Sequence, residues 1–195
     1  MDKMLNTTNA TEVFVNRFKF AKLVDKILNL PEENITIHHA KAIDAVKRLN
    51  EFTGRIGEYL KQTNTSSFSV NLTQFALHLS MQNKTDKEIV ASNTSRNMHL
   101  DVNDEYDLPT SVYNDTNCLG QTHLPNSSFH NASNNLLYAL AYNHSKVFPV
   151  SRTFKVVSIM LSVAIDGYKT RSMGDPIDIR FKRRGDEKGT ISCVS

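Results

Sequence analysis

Eleven asparagines in this 195-residue chain stand two residues before a serine or threonine with no intervening proline: Asn6, Asn9, Asn34, Asn64, Asn71, Asn83, Asn93, Asn114, Asn126, Asn131 and Asn143. That triplet is the acceptor pattern for N-linked oligosaccharide, which is added in the secretory pathway to exposed backbone. Nineteen asparagines in a chain with 33 serines and threonines predict only about three such triplets by chance. The excess points to an extracellular surface covered in sugar. The competing reading is an Asn/Ser/Thr-rich cytosolic chain with accidental matches.

Other chemistries find less support in the residues. His38 and His39 are adjacent at the start of an expected helix and so point in different directions. No second histidine stands at metal-ligand spacing, and there is no HExxH or CxxC pattern. Asp101, Asp104, Glu105 and Asp107 form an acidic run without the glycine and final bidentate glutamate of a calcium loop. We therefore expect no metal, no cofactor and no catalytic residue. The net charge is only +3, and Arg180, Lys182, Arg183 and Arg184 read as a solvated strand end, so nucleic acid is not an expected partner. Cys118 and Cys193 are the two cysteines, and spacing alone leaves open whether they pair.

These residues need a scaffold, and the chain's periodicity outlines one. With 39% hydrophobic and 22% charged residues, it has the composition of an ordinary globular protein. From Thr11, the residues Phe20, Leu23, Val24, Ile27 and Leu30 recur at helical spacing, interleaved with Lys19, Lys22 and Lys26, until Pro31 ends the run. A second helix is predicted from about Ile37 to Leu60 on the stripe Ala42, Val46, Leu49, Ile56 and Leu60, with Gly54 and Gly57 weakening its later half.

Beyond Asn64 the period becomes two. Phe68, Val70 and Leu72 alternate with polar residues, which places Asn71 on the solvent face. After Gln74 the phase shifts to Phe75, Leu77 and Leu79, as a bulge would require. Met98, Leu100 and Val102 alternate in turn, and 108–134 reads mostly as loop. Leu136–Tyr142 and Val156–Ile165 read as strands apolar on both faces, and Ile177, Ile179 and Phe181 as a strand with one wet face. Helices first and strands second predict an α+β fold: a helical part over 1–62 and an antiparallel β-sandwich over 64–195.

The last sixty residues resemble the GAIN domain, which lies outside the membrane in adhesion-type G-protein-coupled receptors and polycystin-like proteins. Tyr138-x3-Tyr142-Asn143 followed by Val147-Phe148-Pro149 is similar to that family's tyrosine-rich strand and short turn. Val156–Val163 resembles the next strand, Asp175–Phe181 the family's Asp-Pro strand, and Cys193-Val194-Ser195 the opening of its GPS motif. Leu108-Pro109-Thr110-Ser111 is similar to an earlier element, and the helical start fits the family's small helical subdomain in outline.

The resemblance implies that Cys193 pairs with a cysteine beyond Ser195, and that the family's His-Leu-Ser/Thr cleavage tripeptide and last strands also lie beyond it. One such tripeptide occurs here, His78-Leu79-Ser80, but Leu77 and Leu79 alternate inward as in a plain strand. The opening Met1–Asn6 lacks an apolar leader, and Val156–Ile165 is about half the length of a membrane span, so a glycosylated chain of this kind is expected to be part of something longer. The implied role is that of a non-enzymatic, cell-surface adhesion and signalling module. Its implied partners are the absent GPS segment, a seven-helix domain and an extracellular protein ligand. The alternative is a self-standing secreted structural or decoy glycoprotein.

Overall fold

The computed structural model describes residues 10–29, 35–82, 85–94, 96–104, 117–129, 135–143, 158–166 and 177–182. Helices α1 (Ala10–Val15), α2 (Arg17–Leu28) and α3 (Ile35–Thr63) come first. Between α1 and α2, both the backbone N–H and the side-chain amide of Asn16 donate to the Glu12 carbonyl. This local competition is the reason asparagine interrupts helices. Phe20, Ala21, Val24 and Leu28 form the buried stripe of α2. Leu23, expected in that stripe, is instead exposed, because it lies on the side of the helix away from α3 and the sheet.

Helix α3 is the second predicted helix and runs unbroken for 29 residues through both of its glycines. Gly57 is there for packing. A Cβ on it would lie 2.4 Å from Leu136 Cδ2 and 2.7 Å from the Tyr138 hydroxyl, so its absence lets the helix settle onto the sheet. At the helix end, Asn64 adopts φ 53°, and the Thr65 N–H reaches back to the Leu60 carbonyl. This is the left-handed cap that glycine or asparagine supplies.

Eight strands follow among the described residues: β1 (Ser67–Asn71), β2 (Phe75–Gln82), β3 (Lys87–Thr94), β4 (Asn97–Asn103), β5 (Cys118–Leu124), β6 (Asn135–Tyr142), β7 (Met160–Ile165) and β8 (Asp178–Phe181). They form two antiparallel four-stranded sheets, ordered β1-β2-β6-β7 and β4-β3-β5-β8. The fold is therefore α+β, as the residue pattern predicts.

The phase shift after Gln74 is a tight hairpin between β1 and β2, closed by the Leu72 N–H on the Phe75 carbonyl, and not a bulge within one strand. The irregularity of the ladder falls elsewhere: Ala91 pairs Gly120 and Ser92 pairs Cys118, leaving Leu119 as the extra residue.

The first sheet is the middle of three layers. Phe75, Leu77, Leu79, Leu136, Leu140 and Tyr142 join Phe20, Val24, Leu49, Phe52, Ile56 and Leu60 in one core. On the opposite face, Ala76, Leu137, Ala139 and Ala141 join Ile89, Ala91, Met98, Leu100, Leu124 and Ile159 in a second. Within β2 and β6, bulky side chains predominate toward the helices and small ones toward the second sheet. Leu136–Tyr142 is thus apolar on both faces for a definite reason: each face meets a different layer. In contrast, β7 is an edge strand covering Met160–Ile165 with Ser162 and Ala164 exposed.

Candidate functional site

Five of the sequons fall on described residues, and the structure sorts them by what their amides touch. Asn64, Asn93 and Asn126 are exposed: one caps α3, one lies near the end of β3, and one opens the short 3₁₀ turn Asn126–Ser128 after β5. Asn126 is held in place by its backbone N–H on an Asp86 carboxylate oxygen, 2.8 Å away. Its sequon partner Ser128 is fully buried, so in this triplet the acceptor remains accessible after folding while the hydroxyl does not.

Asn71 and Asn143 are only half-exposed. The Asn71 amide donates to His99 Nδ1 at 3.1 Å, and the Asn143 amide lies 3.4 Å from the Thr73 carbonyl. The outward alternation expected of Asn71 is present, but the β1–β2 hairpin tip meets β4 there, with the Met98 N–H on the Leu72 carbonyl. A sugar on Asn71 would occupy the place of the His99 ring. Asn6, Asn9, Asn34, Asn83, Asn114 and Asn131 lie outside the described residues, as do Cys193 and the family-like passages at 108–111, 147–149 and 175–176.

His78 and Ser80 share the inter-sheet side of β2. His78 Nε2 is 2.9 Å from Ser80 Oγ, Nδ1 is 2.7 Å from Ser69 Oγ, and the Gln82 amide donates to Ser80. Burial holds the imidazole below its ordinary pKa, opposed in part by the charge of Asp101 on β4. A neutral imidazole bonded to a serine hydroxyl is the pairing that activates a nucleophile. Here the hydroxyl is buried. Leu79, whose carbonyl would be attacked, is paired in register with Phe68 and Tyr138. Among the described residues, no cis peptide is present, and Asn64 is the one non-glycine residue with positive φ.

The acidic run beginning at Asp101 divides between roles. Asp101 lies in β4 beside His78, Asp104 pairs with Lys87, and Glu105 and Asp107 fall outside the described residues. Among the described residues, no three His, Cys, Asp or Glu side chains gather as metal ligands. Lys87 is a residue the pattern did not single out: its side chain is buried at the start of β3, satisfied by Asp104, and nothing in the local sequence marks it.

Gln74, which the pattern marks only as the point of the phase shift, also reaches α2. From the hairpin tip its N–H donates to an Asp25 carboxylate oxygen at 2.7 Å and its amide to Asn29 Oδ1 at 2.9 Å, fastening the sheet to the end of α2. Burial raises the Asp25 pKa, and the Gln74 bond partly offsets that.

Cys118 is buried at the start of β5, where its thiol lies 4.0 Å from the Gly120 carbonyl. A cavity of about 200 Å³ opens beside it, lined by Leu119, Gly120, Gln121, Arg180 and Lys182. It is smaller than typical ligand pockets of about 300–1,000 Å³. Of the residues expected to alternate inward, Ile177 packs against the second core, but Ile179 is 54% and Phe181 39% exposed while Asp178 and Arg180 between them are less so, because β8 is an edge strand. No described helix is long and apolar enough to cross a membrane.

Among solved structures, the full extracellular region of zebrafish Gpr126/Adgrg6, an adhesion G-protein-coupled receptor, is similar in fold. The match covers 97% of this chain and 27% of that one, at a TM-score of 0.54 and 13% sequence identity. No family model matches the chain. No curated protein matches it either.

Proposed function

We propose that this chain is an extracellular, N-glycosylated module of an adhesion-type receptor, equivalent to its GAIN region, that binds and transmits without catalysing a reaction. The observation that carries the reading is fold likeness along almost the whole chain to a receptor's extracellular region. The exposed acceptors Asn64, Asn93 and Asn126 support the location independently.

The family-like tyrosines support the assignment physically. Tyr142 is buried and Tyr138 half-buried at the helix–sheet contact, with the Tyr138 hydroxyl against Gly57, so this pair holds the helical layer to the sandwich. Burial pushes the Tyr138 pKa up to about 12 and that of Tyr142 higher still, so both stay neutral at physiological pH. Proposed partners are a seven-helix domain, a GPS segment that supplies a cysteine to Cys193, and an extracellular protein ligand.

The test is the reading frame of the native transcript around this chain. Continuation past Ser195 into a seven-helix segment supports the receptor role. A stop codon there, with a leader upstream, overturns it in favour of a secreted glycoprotein. The non-catalytic part is tested by the intact mass of the secreted, deglycosylated chain: one full-length species is expected, and fragments joined at Leu79–Ser80 would sink it.

A further inference from the structure

The outward face of α2 carries more charge than the fold uses. Lys19, Lys22 and Lys26 are all exposed and, at spacings of three and four, lie in one line along the helix. The line spans about 10 Å of helical rise. The opposite face is spent in the core. Within α1 and α2 the acids are Glu12 and Asp25, and Asp25 is half-buried and bonded to Gln74. The one arginine of α2, Arg17, is turned aside: its guanidinium lies 3.9 Å from the centre of the Phe14 ring and 4.7 Å from that of Phe18, and it donates to the Phe14 carbonyl. No sequon falls within α2.

We propose that this stripe is a docking surface for a linear sulfated polysaccharide of the extracellular matrix. The source of the polymer rests on the extracellular reading above; the binding itself does not. Three features select this occupant. Three exposed ammonium groups in a row suit a polymer that carries its anions at regular intervals, whereas the one arginine of the helix is committed to Phe14 and Phe18. The line is convex and straight, matching a rod-like chain of repeating anions. Phe18 and Leu23 stand on either side of it, 46% and 37% exposed, and present apolar surface to the C–H faces of sugar rings. An anionic bilayer fits less well, because a helix lying in a membrane interface carries its apolar residues at the centre of the face and its lysines at the margins.

The experiment is binding of the secreted, glycosylated full chain to immobilised heparin at physiological salt, with the triple variant Lys19→Gln/Lys22→Gln/Lys26→Gln. A charge-matched control triple is Lys41→Gln/Lys47→Gln/Arg96→Gln, all exposed. Wild type and control are expected to bind alike, and the stripe variant at least tenfold more weakly. Its dependence of log affinity on log salt should be shallower by about two to three. A Lys→Arg triple at the same positions, which keeps the charge, restores most of the binding.

The proposal is overturned if heparin does not bind, or if the control triple loses as much as the stripe triple. It is overturned in favour of an acidic protein partner if polyglutamate binds as tightly as heparin. Tighter binding to phosphatidylserine–phosphatidylcholine vesicles overturns it in favour of a lipid surface. Because heparin binding is read on the isolated chain, its failure leaves the receptor reading standing, and a secreted rather than receptor transcript leaves heparin binding standing.

Discussion

The two sheets have the same number of strands and the same antiparallel pairing, yet they are stabilised differently. The sheet β1-β2-β6-β7 lies between the helices and the other sheet, and seven of the eight residues of β6 are buried. In the sheet β4-β3-β5-β8, by contrast, the apolar side chains become exposed at the edge strand β8. Position within the layers, rather than strand pairing, decides what a side chain is worth.

The largest test of that contrast sets Leu79, fully buried in the middle layer, against Ile179 at the open edge. Leu79→Ala should cost about 2–5 kcal/mol, because surrounding atoms cannot close the cavity. Ile179→Ala should stay within about 0.5 kcal/mol. Urea unfolding measures both, and equal losses would break the comparison.

The helix–sheet junction gives a smaller contrast of opposite sign. Gly57→Ala drives a methyl group into Leu136 and Tyr138 and should destabilise by about 1–3 kcal/mol. At Gly54 a Cβ meets nothing within 4 Å, so Gly54→Ala should stabilise by up to about 1 kcal/mol through helix propensity. Thermal melts of the two variants should therefore move in opposite directions. At the end of the same helix, Asn64→Ala forces a Cβ-bearing residue without a polar side chain into the left-handed region and should cost about 1 kcal/mol. Asn64→Gly should cost nothing, provided both are measured on unglycosylated protein so that losing the sequon does not contribute.

The two interfaces of the middle sheet should also respond oppositely to acid. The His78 pKa is lowered in the folded state, so unfolded chains bind the extra proton first; this contribution to stability is full above about 6.5, the ordinary histidine value, and is lost as pH falls through the lower folded value. Asp25 is the reverse: its raised folded pKa means the folded state takes the proton first, so stability is gained as pH falls through that value toward the ordinary carboxylate range. His78→Gln should flatten the loss below neutrality, and Asp25→Asn the gain at lower pH, in pH-dependent denaturation. A curve unchanged by either variant would remove that site from the comparison.

The smallest effect concerns modification. Asn64, Asn93 and Asn126 should be fully occupied, whereas Asn71, whose amide holds His99, and Asn143 should carry sugar in a lower fraction. Glycopeptide mapping of secreted protein reads this directly. Equal occupancy at Asn71 and Asn93 would mean that the hairpin tip does not close on β4 as described.

Much of this fold is legible in the residues because it depends on local repetition. Phe20 and Val24 recur at helical spacing and are buried; Met98 and Leu100 alternate with polar residues and point inward. The expected loop over 108–134 holds the strand β5 (Cys118–Leu124), whose mostly small and polar residues show no apolar alternation; other misreadings come from a local signal with two physical causes. The phase shift at Gln74 suits a bulge or a hairpin, and only the pairing of Asn71 with Ala76 decides between them. Glycine in a helix is either a weakness or a place of close approach, and Gly57 is the latter because Leu136 and Tyr138, some eighty positions later, come to rest against it.

The sequence by itself determined the acceptor triplets, the order of helices before strands and the basic line on α2, since each needs only neighbours within a turn or a strand. Tertiary structure decided which acceptors remain open, which layer covers each face of β6, and whether His78 meets Ser80 in the open or under cover. Those outcomes depend on contacts between residues far apart in the chain, whose geometry no local period encodes.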